Sequence, residues 1–128
     1  MKKVLFIVIV LCAANSSFAQ SIITNIGGNG VTQYIGDGWH ATSYSLAAPS
    51  GVCLDNAHNV FISDYADHRI RKIDTHDTLT TFADTSGMPG YTGDGGLKDS
   101  ATFRNPSGLC FDASGNLYIL EWYNDVVR

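Results

Sequence analysis

The sequence has almost no glutamate, little positive charge and no apolar run long enough to cross a membrane. Only Glu121 among its 12 acidic residues is a glutamate, which favours helices, whereas the turn-forming glycine occurs 13 times. This bias predicts short strands and many turns. The 8 Lys and Arg residues are outnumbered by acidic ones, so the basic surface that nucleic-acid binding requires is lacking and no nucleic-acid partner is expected.

The first 19 residues are typical of a secretory signal peptide. Two lysines precede an apolar run at 4–14, which is too short to span a bilayer of about 30 Å. Ser17 and Ala19 then provide the small residues of a cleavage site before Gln20. We expect residues 20–128 to be a secreted or periplasmic, extracytoplasmic product without a transmembrane segment. An uncleaved N-terminal anchor is the alternative.

The chain contains one unit twice. Residues 34–71 align with residues 91–128 at a shift of 57 without a gap, and 13 of these 38 positions are identical. Chance would give roughly two or three at average composition. The identical pairs include Tyr34/Tyr91, Asp37/Asp94, Gly51/Gly108, Cys53/Cys110, Asp55/Asp112, Asn59/Asn116 and Arg71/Arg128.

Each repeat is predicted to hold four short strands and one long glycine-rich loop. In the first copy the strands are expected at Gly51–Asp55, Asn59–Ser63, Arg69–Asp74 and Leu79–Ala83. No segment has a sustained helical apolar period. Four antiparallel strands repeated in series are the unit of a β-propeller blade, so the sequence predicts an all-β fold built from blades.

The repeat resembles the NHL repeat. The resemblance lies in Pro49–Val52, Asn59–Asp64, His68–Ile73, Leu79–Ala83 and the Gly-Asp-Gly-Gly loop, and it covers almost all of residues 20–128. It implies a β-propeller, typically one of six blades. The second copy departs from the motif at 124–127, so the resemblance gives His68 and Arg69 no repeated role.

Two repeats do not close a ring, and we therefore expect the chain to be a segment of a longer protein. The second copy reaches Arg128 inside its third predicted strand. Ser21–Ile26 resembles a fourth strand without the three that should precede it. In a closed ring, with several more repeats, this strand would complete the last blade.

The repeated aspartates are interpreted as structural. Asp37 and Asp94 lie in Gly-Asp-Gly turns, where they can accept hydrogen bonds from their own turn, with Ca²⁺ binding as the alternative. Asp64 and Arg69 bracket a turn and are expected to bond across it, a catalytic acid with a substrate clamp being the alternative. Asp112 opens an EF-hand-like segment that lacks the required glycine and final glutamate, so a hairpin turn is predicted there.

The remaining chemistry-bearing residues support no metal or cofactor. The four histidines lack the spacing of a local zinc pair, and we assign no metal ligand. Cys53 and Cys110 are expected to be reduced core residues, too far apart for a disulfide. Three aromatic residues are candidate contacts at a rim, with core positions as the alternative: Trp39, Trp122 and Tyr123.

These features favour an exported, non-enzymatic binding scaffold without a catalytic residue. The resemblance implies a protein or glycan ligand at the propeller rim, of a kind that the residues leave open. The alternative is a propeller enzyme, similar to lyases and lactonases, with a metal at the central channel. The inner-strand ends offer such a site only four polar residues: Ser50, Ser107, Asp55 and Asp112.

Overall fold

The structure, a computed structural model, describes residues 23–128, so the predicted signal peptide lies outside the described residues. Of the predicted strand Ser21–Ile26, residues 23–26 are described and belong to no strand. Within 23–128 the helical structure consists of two short 3₁₀ turns, Ala41–Ser43 and Tyr65–Asp67. None of it is long and apolar enough to span a membrane. The predicted all-β fold is confirmed.

The first sheet, here the first blade, has five antiparallel strands in the order β1-β5-β4-β3-β2. They are β1 (Trp39–His40), β2 (Pro49–Leu54), β3 (Val60–Asp64), β4 (Arg69–Ile73) and β5 (Thr78–Ala83). Four of them are the predicted strands, within one or two residues at each end. The fifth was not predicted, because β1 has two residues and shows no alternating pattern. It pairs with the free edge of β5.

The second sheet, here the second blade, repeats the first 57 residues later. Its strands are β6 (Pro106–Phe111), β7 (Leu117–Glu121) and β8 (Val126–Val127), in the order β6-β7-β8. Cys110 faces Tyr118 across β6 and β7, just as Cys53 faces Phe61 across β2 and β3. The internal repeat read from the sequence is therefore a structural repeat.

Strand alternation gives each blade two faces: a front face towards the residues that precede it and a back face towards those that follow. The front face of the first blade packs against residues of the segment 23–47, in a core of Ala41, Tyr44, Ile62, Ile73 and Leu79. Its back face packs against the second blade in the other core, made by Phe61, Ile70, Ala83, Ala101, Phe103 and Ile119. The first blade thus has packing partners on both faces, although Val52 and Leu54 on its front face remain exposed.

The two blades are in direct contact where β2 and β3 meet β6. The Ser63 hydroxyl donates a hydrogen bond of 2.6 Å to the Ser107 carbonyl oxygen. A Cβ atom on Gly51 would lie only 2.0 Å from that same oxygen. Because no side chain fits in this space, glycine is required at position 51 for the blades to pack.

Candidate functional site

The β2–β3 and β6–β7 hairpin turns are closed by aspartates that accept hydrogen bonds from their own turns. Asp55 accepts hydrogen bonds from the N–H groups of Ala57 and Asn59, both 2.9 Å, and from the Asn59 side-chain amide at 2.7 Å. These bonds lower the pKa of the Asp55 carboxyl. Asp112 makes the equivalent bonds with Ser114 and Asn116. The hairpin turn predicted in place of a calcium loop is confirmed.

The first Gly-Asp-Gly aspartate binds an arginine from a strand rather than its own turn. The Asp37 carboxylate lies 2.6 Å from an Nη atom of Arg71, which also donates to the Gly36 carbonyl at 3.0 Å. The other Nη of Arg71 lies 3.6 Å from the Asp64 carboxylate. The Tyr34 ring centroid is 5.1 Å from the guanidinium, which is fully buried.

The same arginine network is present in the second blade. Arg128 lies 2.7 Å from the Asp94 carboxylate and 3.2 Å from that of Glu121. Tyr91 occupies the place of Tyr34, with its ring centroid 5.5 Å from the guanidinium. Asp37 and Asp94 therefore each connect a loop to the blade that follows it. The hydrogen bonds predicted within their own turns did not include this connection.

The bond predicted between Asp64 and Arg69 is wrong, although the two residues face each other in the register of β3 and β4. The Arg69 guanidinium instead pairs with Asp67 and stacks on the Tyr34 ring, 3.9 Å from its centroid. Asp64 accepts a 2.6 Å hydrogen bond from the Ala47 N–H. Arg71, two residues along the same strand face, takes the place that Arg69 was expected to fill.

Burial dominates the electrostatics of Asp64. Its side chain is 1% exposed, and removal from water raises its pKa to about 6. The Ala47 N–H and the arginines oppose this rise without cancelling it. A buried acid with a raised pKa can indicate catalysis, but here its neighbours are the structural groups just described. We therefore assign Asp64 to the arginine network.

The cysteines are both free thiols, as predicted, but only one of them is near the core. Cys53 is half-buried at the interface of the blades, where burial first, and then Cys110 and Asp55, raise its pKa. Cys110 is exposed, so its assignment to the core is wrong. The reason is that Cys110 lies on the back face of the second blade, which no part of residues 23–128 covers.

The turn between β3 and β4 of the first blade and the turn between β7 and β8 of the second are linked at one end of the sheets. Asn105 joins them: its N–H donates to His68 Nδ1 and its side-chain amide to the Tyr65 carbonyl, each at 3.1 Å. Its own carbonyl accepts from the Trp122 N–H at 3.1 Å. These bonds fix the position of an aromatic pair, and we call this region, residues 65–68, 104–105 and 122–125, the turn surface.

The aromatic pair on the turn surface points outward. Trp122 is 65% exposed and Tyr123 is 56% exposed. The Arg104 guanidinium lies 5.2 Å from the Tyr123 ring centroid and supports it by a cation–π contact. Trp39 is also exposed, but it lies at the outer edge of the first blade on β1. All three candidate rim aromatics are thus surface residues and not core residues.

The histidines do not converge. His68 has a left-handed backbone conformation, accepts a hydrogen bond from Asn105, and has a pKa lowered mainly by burial. His40 caps the first 3₁₀ turn through Thr42, while His58 and His76 lie in hairpin turns. Within residues 23–128 no group of three or more His, Cys, Asp or Glu is placed to hold a metal ion.

These features define a pair of β-propeller blades, and comparison with known proteins gives their type. Residues 46–73, which include β2, β3 and β4, match the family model of the NHL repeat. Residues 46–73 are thus an NHL-type repeat, of the kind that the sequence resembles. No curated protein matches the sequence.

Three similar solved structures come from Bacteroides thetaiotaomicron. A structural genomics protein of unknown function is 25% identical, with a TM-score of 0.70 over 79% of this chain and 25% of that one. A protein described as an auxiliary nutrient binding protein is 24% identical, with a TM-score of 0.65 over 80% and 26%. A putative phosphatase is 19% identical, with a TM-score of 0.62 over 79% and 24%. The chain spans about a quarter of the length of these proteins.

Sequence reasoning missed the arginine network, although its signal was present. Arg71 and Arg128 are an identical pair in the alignment of the two copies, as are their partners Asp37 and Asp94. A charged side chain that is buried on a strand needs a counter-charge. Taken together, the two identical pairs indicate an ion pair that recurs in each blade.

Proposed function

We propose that the chain is part of an exported, non-enzymatic β-propeller that binds a ligand on the turn surface. The observation that carries this proposal is the exposure of Trp122 and Tyr123 on a turn that Asn105 holds in place. Tryptophan and tyrosine are the residues most enriched where proteins bind partners, because a large rigid ring contributes contact area at little entropic cost. Propeller scaffolds generally present such groups on their loops.

Export and ligand binding have independent support. The signal-peptide pattern of residues 1–19 supports an extracytoplasmic location, secreted or periplasmic. One protein with a similar fold is described as a nutrient binding protein, which is consistent with a binding role for the shared scaffold. The putative phosphatase, at 19% identity, shares the fold alone and gives no support to an enzymatic role.

The ligand class that best fits the turn surface is a glycan, because sugar rings stack on exposed aromatic faces that have polar neighbours. The test is affinity electrophoresis of the chain through gels that each contain one soluble polysaccharide from a chemically varied panel. We expect retardation by at least one polysaccharide, and its loss in Trp122→Ala/Tyr123→Ala. Trp39→Ala, which removes an exposed aromatic at the edge strand, is the matched control and should migrate like the original chain.

Two outcomes would contradict this assignment. Retardation that survives the double substitution would place the glycan elsewhere. Retention of a defined protein from an envelope extract, lost in the same double variant, would make the ligand a protein. N-terminal sequencing of exported material tests the location separately, with Gln20 as the expected first residue.

A further inference from the structure

Arg104 is an exposed arginine on the turn surface that differs from the other arginines of the chain. Those three each pair with a carboxylate: Arg69 with Asp67, Arg71 with Asp37, and Arg128 with Asp94. Arg104 forms no such ion pair within residues 23–128. Acidic residues outnumber basic ones by 12 to 8 in this chain, so an arginine without an acidic partner stands out.

The backbone of Arg104 is fixed beside the aromatic pair. Its N–H donates a 2.8 Å hydrogen bond to the carboxylate of Glu121, which is fully buried. The same carboxylate accepts a 2.6 Å bond from the Asn124 side-chain amide. Glu121 therefore holds the loop before β6 and the turn between β7 and β8 in a fixed relation, and the guanidinium lies over the Tyr123 ring.

The other charged groups of the turn surface leave this guanidinium available. Arg104 is the only arginine or lysine of the turn surface. Asp67 is engaged by Arg69. Asp125 is the remaining acid, and it is exposed and forms no ion pair with Arg104 in the described part of the chain. Its charge opposes that of Arg104 without neutralising it through a direct contact.

An exposed aromatic pair beside an arginine suits a sugar that carries a carboxylate. Sugar rings stack on aromatic faces, and a guanidinium binds a carboxylate through two parallel hydrogen bonds. A neutral sugar would use only the rings and leave the guanidinium to water. The formal net charge of −4 repels anions, but charges are screened beyond about 8 Å at physiological ionic strength, so the nearby arginine decides the local preference.

We propose that the ligand of the turn surface is an acidic glycan, in which a sugar carboxylate pairs with Arg104 while a sugar ring stacks on Trp122 or Tyr123. This inference rests on the binding function proposed above and adds the charge of the ligand. Arg104 is then the residue that selects acidic glycans over neutral ones.

The test compares each acidic oligosaccharide with its own neutral form. Uronate oligosaccharides from pectate and alginate are used before and after carboxyl reduction, which converts each carboxylate to a hydroxymethyl group. Titration calorimetry in about 150 mM salt measures their affinities for the full chain and for Arg104→Gln, Arg104→Lys and Asp125→Asn. Lys72→Gln, which removes a positive charge beside the hairpin turn at Asp55, is the matched control. Circular dichroism checks the fold of each variant.

The expected pattern separates this inference from the binding function itself. At least one uronate should bind roughly tenfold more tightly than its reduced form. Arg104→Gln should abolish that preference, Arg104→Lys should retain part of it, and Asp125→Asn should increase it, while Lys72→Gln leaves it unchanged. Equal binding of both forms, or a preference that survives Arg104→Gln, would overturn the acidic ligand and leave glycan binding in place. Binding of neither form of any oligosaccharide would count against both proposals.

Discussion

The two blades have closely similar repeats, yet aligned side chains differ widely in exposure. Phe61 is 3% exposed and its partner Tyr118 is 44% exposed, while Ile70 and Val127 are 0% and 63% exposed. Each pair is apolar or aromatic at the same register position, so intrinsic hydropathy does not explain the difference. The neighbour on the back face explains it: the first blade has one among the described residues and the second does not.

The arginine network, in contrast, is complete in both blades. It needs only the blade itself and the loop before it, and both are described in each copy. The stability of a blade therefore has a local part, from its arginine, and a part that depends on the adjacent blade. Paired substitutions at equivalent positions can separate the two parts.

The largest effect is expected from Arg71→Met. The substitution leaves the Asp64 carboxylate buried with one remaining close hydrogen bond, from Ala47, and should reduce the free energy of unfolding by about 3–5 kcal/mol. Arg128→Met should cost about 1–2 kcal/mol, because Glu121 keeps hydrogen bonds from Arg104 N–H and Asn124. Urea denaturation at pH 7 measures both, and equal losses would contradict this distinction.

The sequence predicted the strands of the first blade because their apolar and β-branched residues alternate with turn residues. The hairpins at Asp55 and Asp112 were predictable for a similar reason, since an Asp followed four residues later by an Asn can close such a turn locally. These features depend on neighbours in sequence, which is the information that a single chain carries most directly.

Features that depend on distant residues were predicted less well. Arg69 was expected to bind its nearest acid, Asp64, but tertiary packing gives that place to Arg71. Cys110 was expected in the core because its strand is apolar, yet strand alternation directs it to the uncovered back face. Strand β1 is held by pairing with β5, a contact of long sequence separation that two residues cannot signal.

A smaller effect is expected from alanine at the aligned glycines. Gly51→Ala would place a methyl group 2.0 Å from the Ser107 carbonyl oxygen, so the blades must separate, and we expect a loss of about 1–3 kcal/mol. Gly108→Ala meets only the Leu120 side chain at 3.4 Å and should be close to neutral. Thermal unfolding of both variants decides the matter. A destabilised Gly108→Ala would show that glycine serves the strand itself rather than the contact between blades.

The smallest change is a difference in thiol reactivity, which leaves stability untouched. Cys110 is exposed, whereas Cys53 is half-buried and has a raised pKa that lowers its thiolate fraction. We expect an aromatic disulfide reagent at pH 8 to modify Cys110 roughly ten times faster or more, with Cys53→Ala and Cys110→Ala assigning the two phases.

Unfolding sharpens this last comparison. In concentrated urea the two thiols should react at similar rates, because Cys53 loses the cover that the second blade gives it in the folded chain. Equal rates for the two thiols in the folded chain would mean that the first blade is not covered by the second in solution, and the contrast between the blades would have to be abandoned.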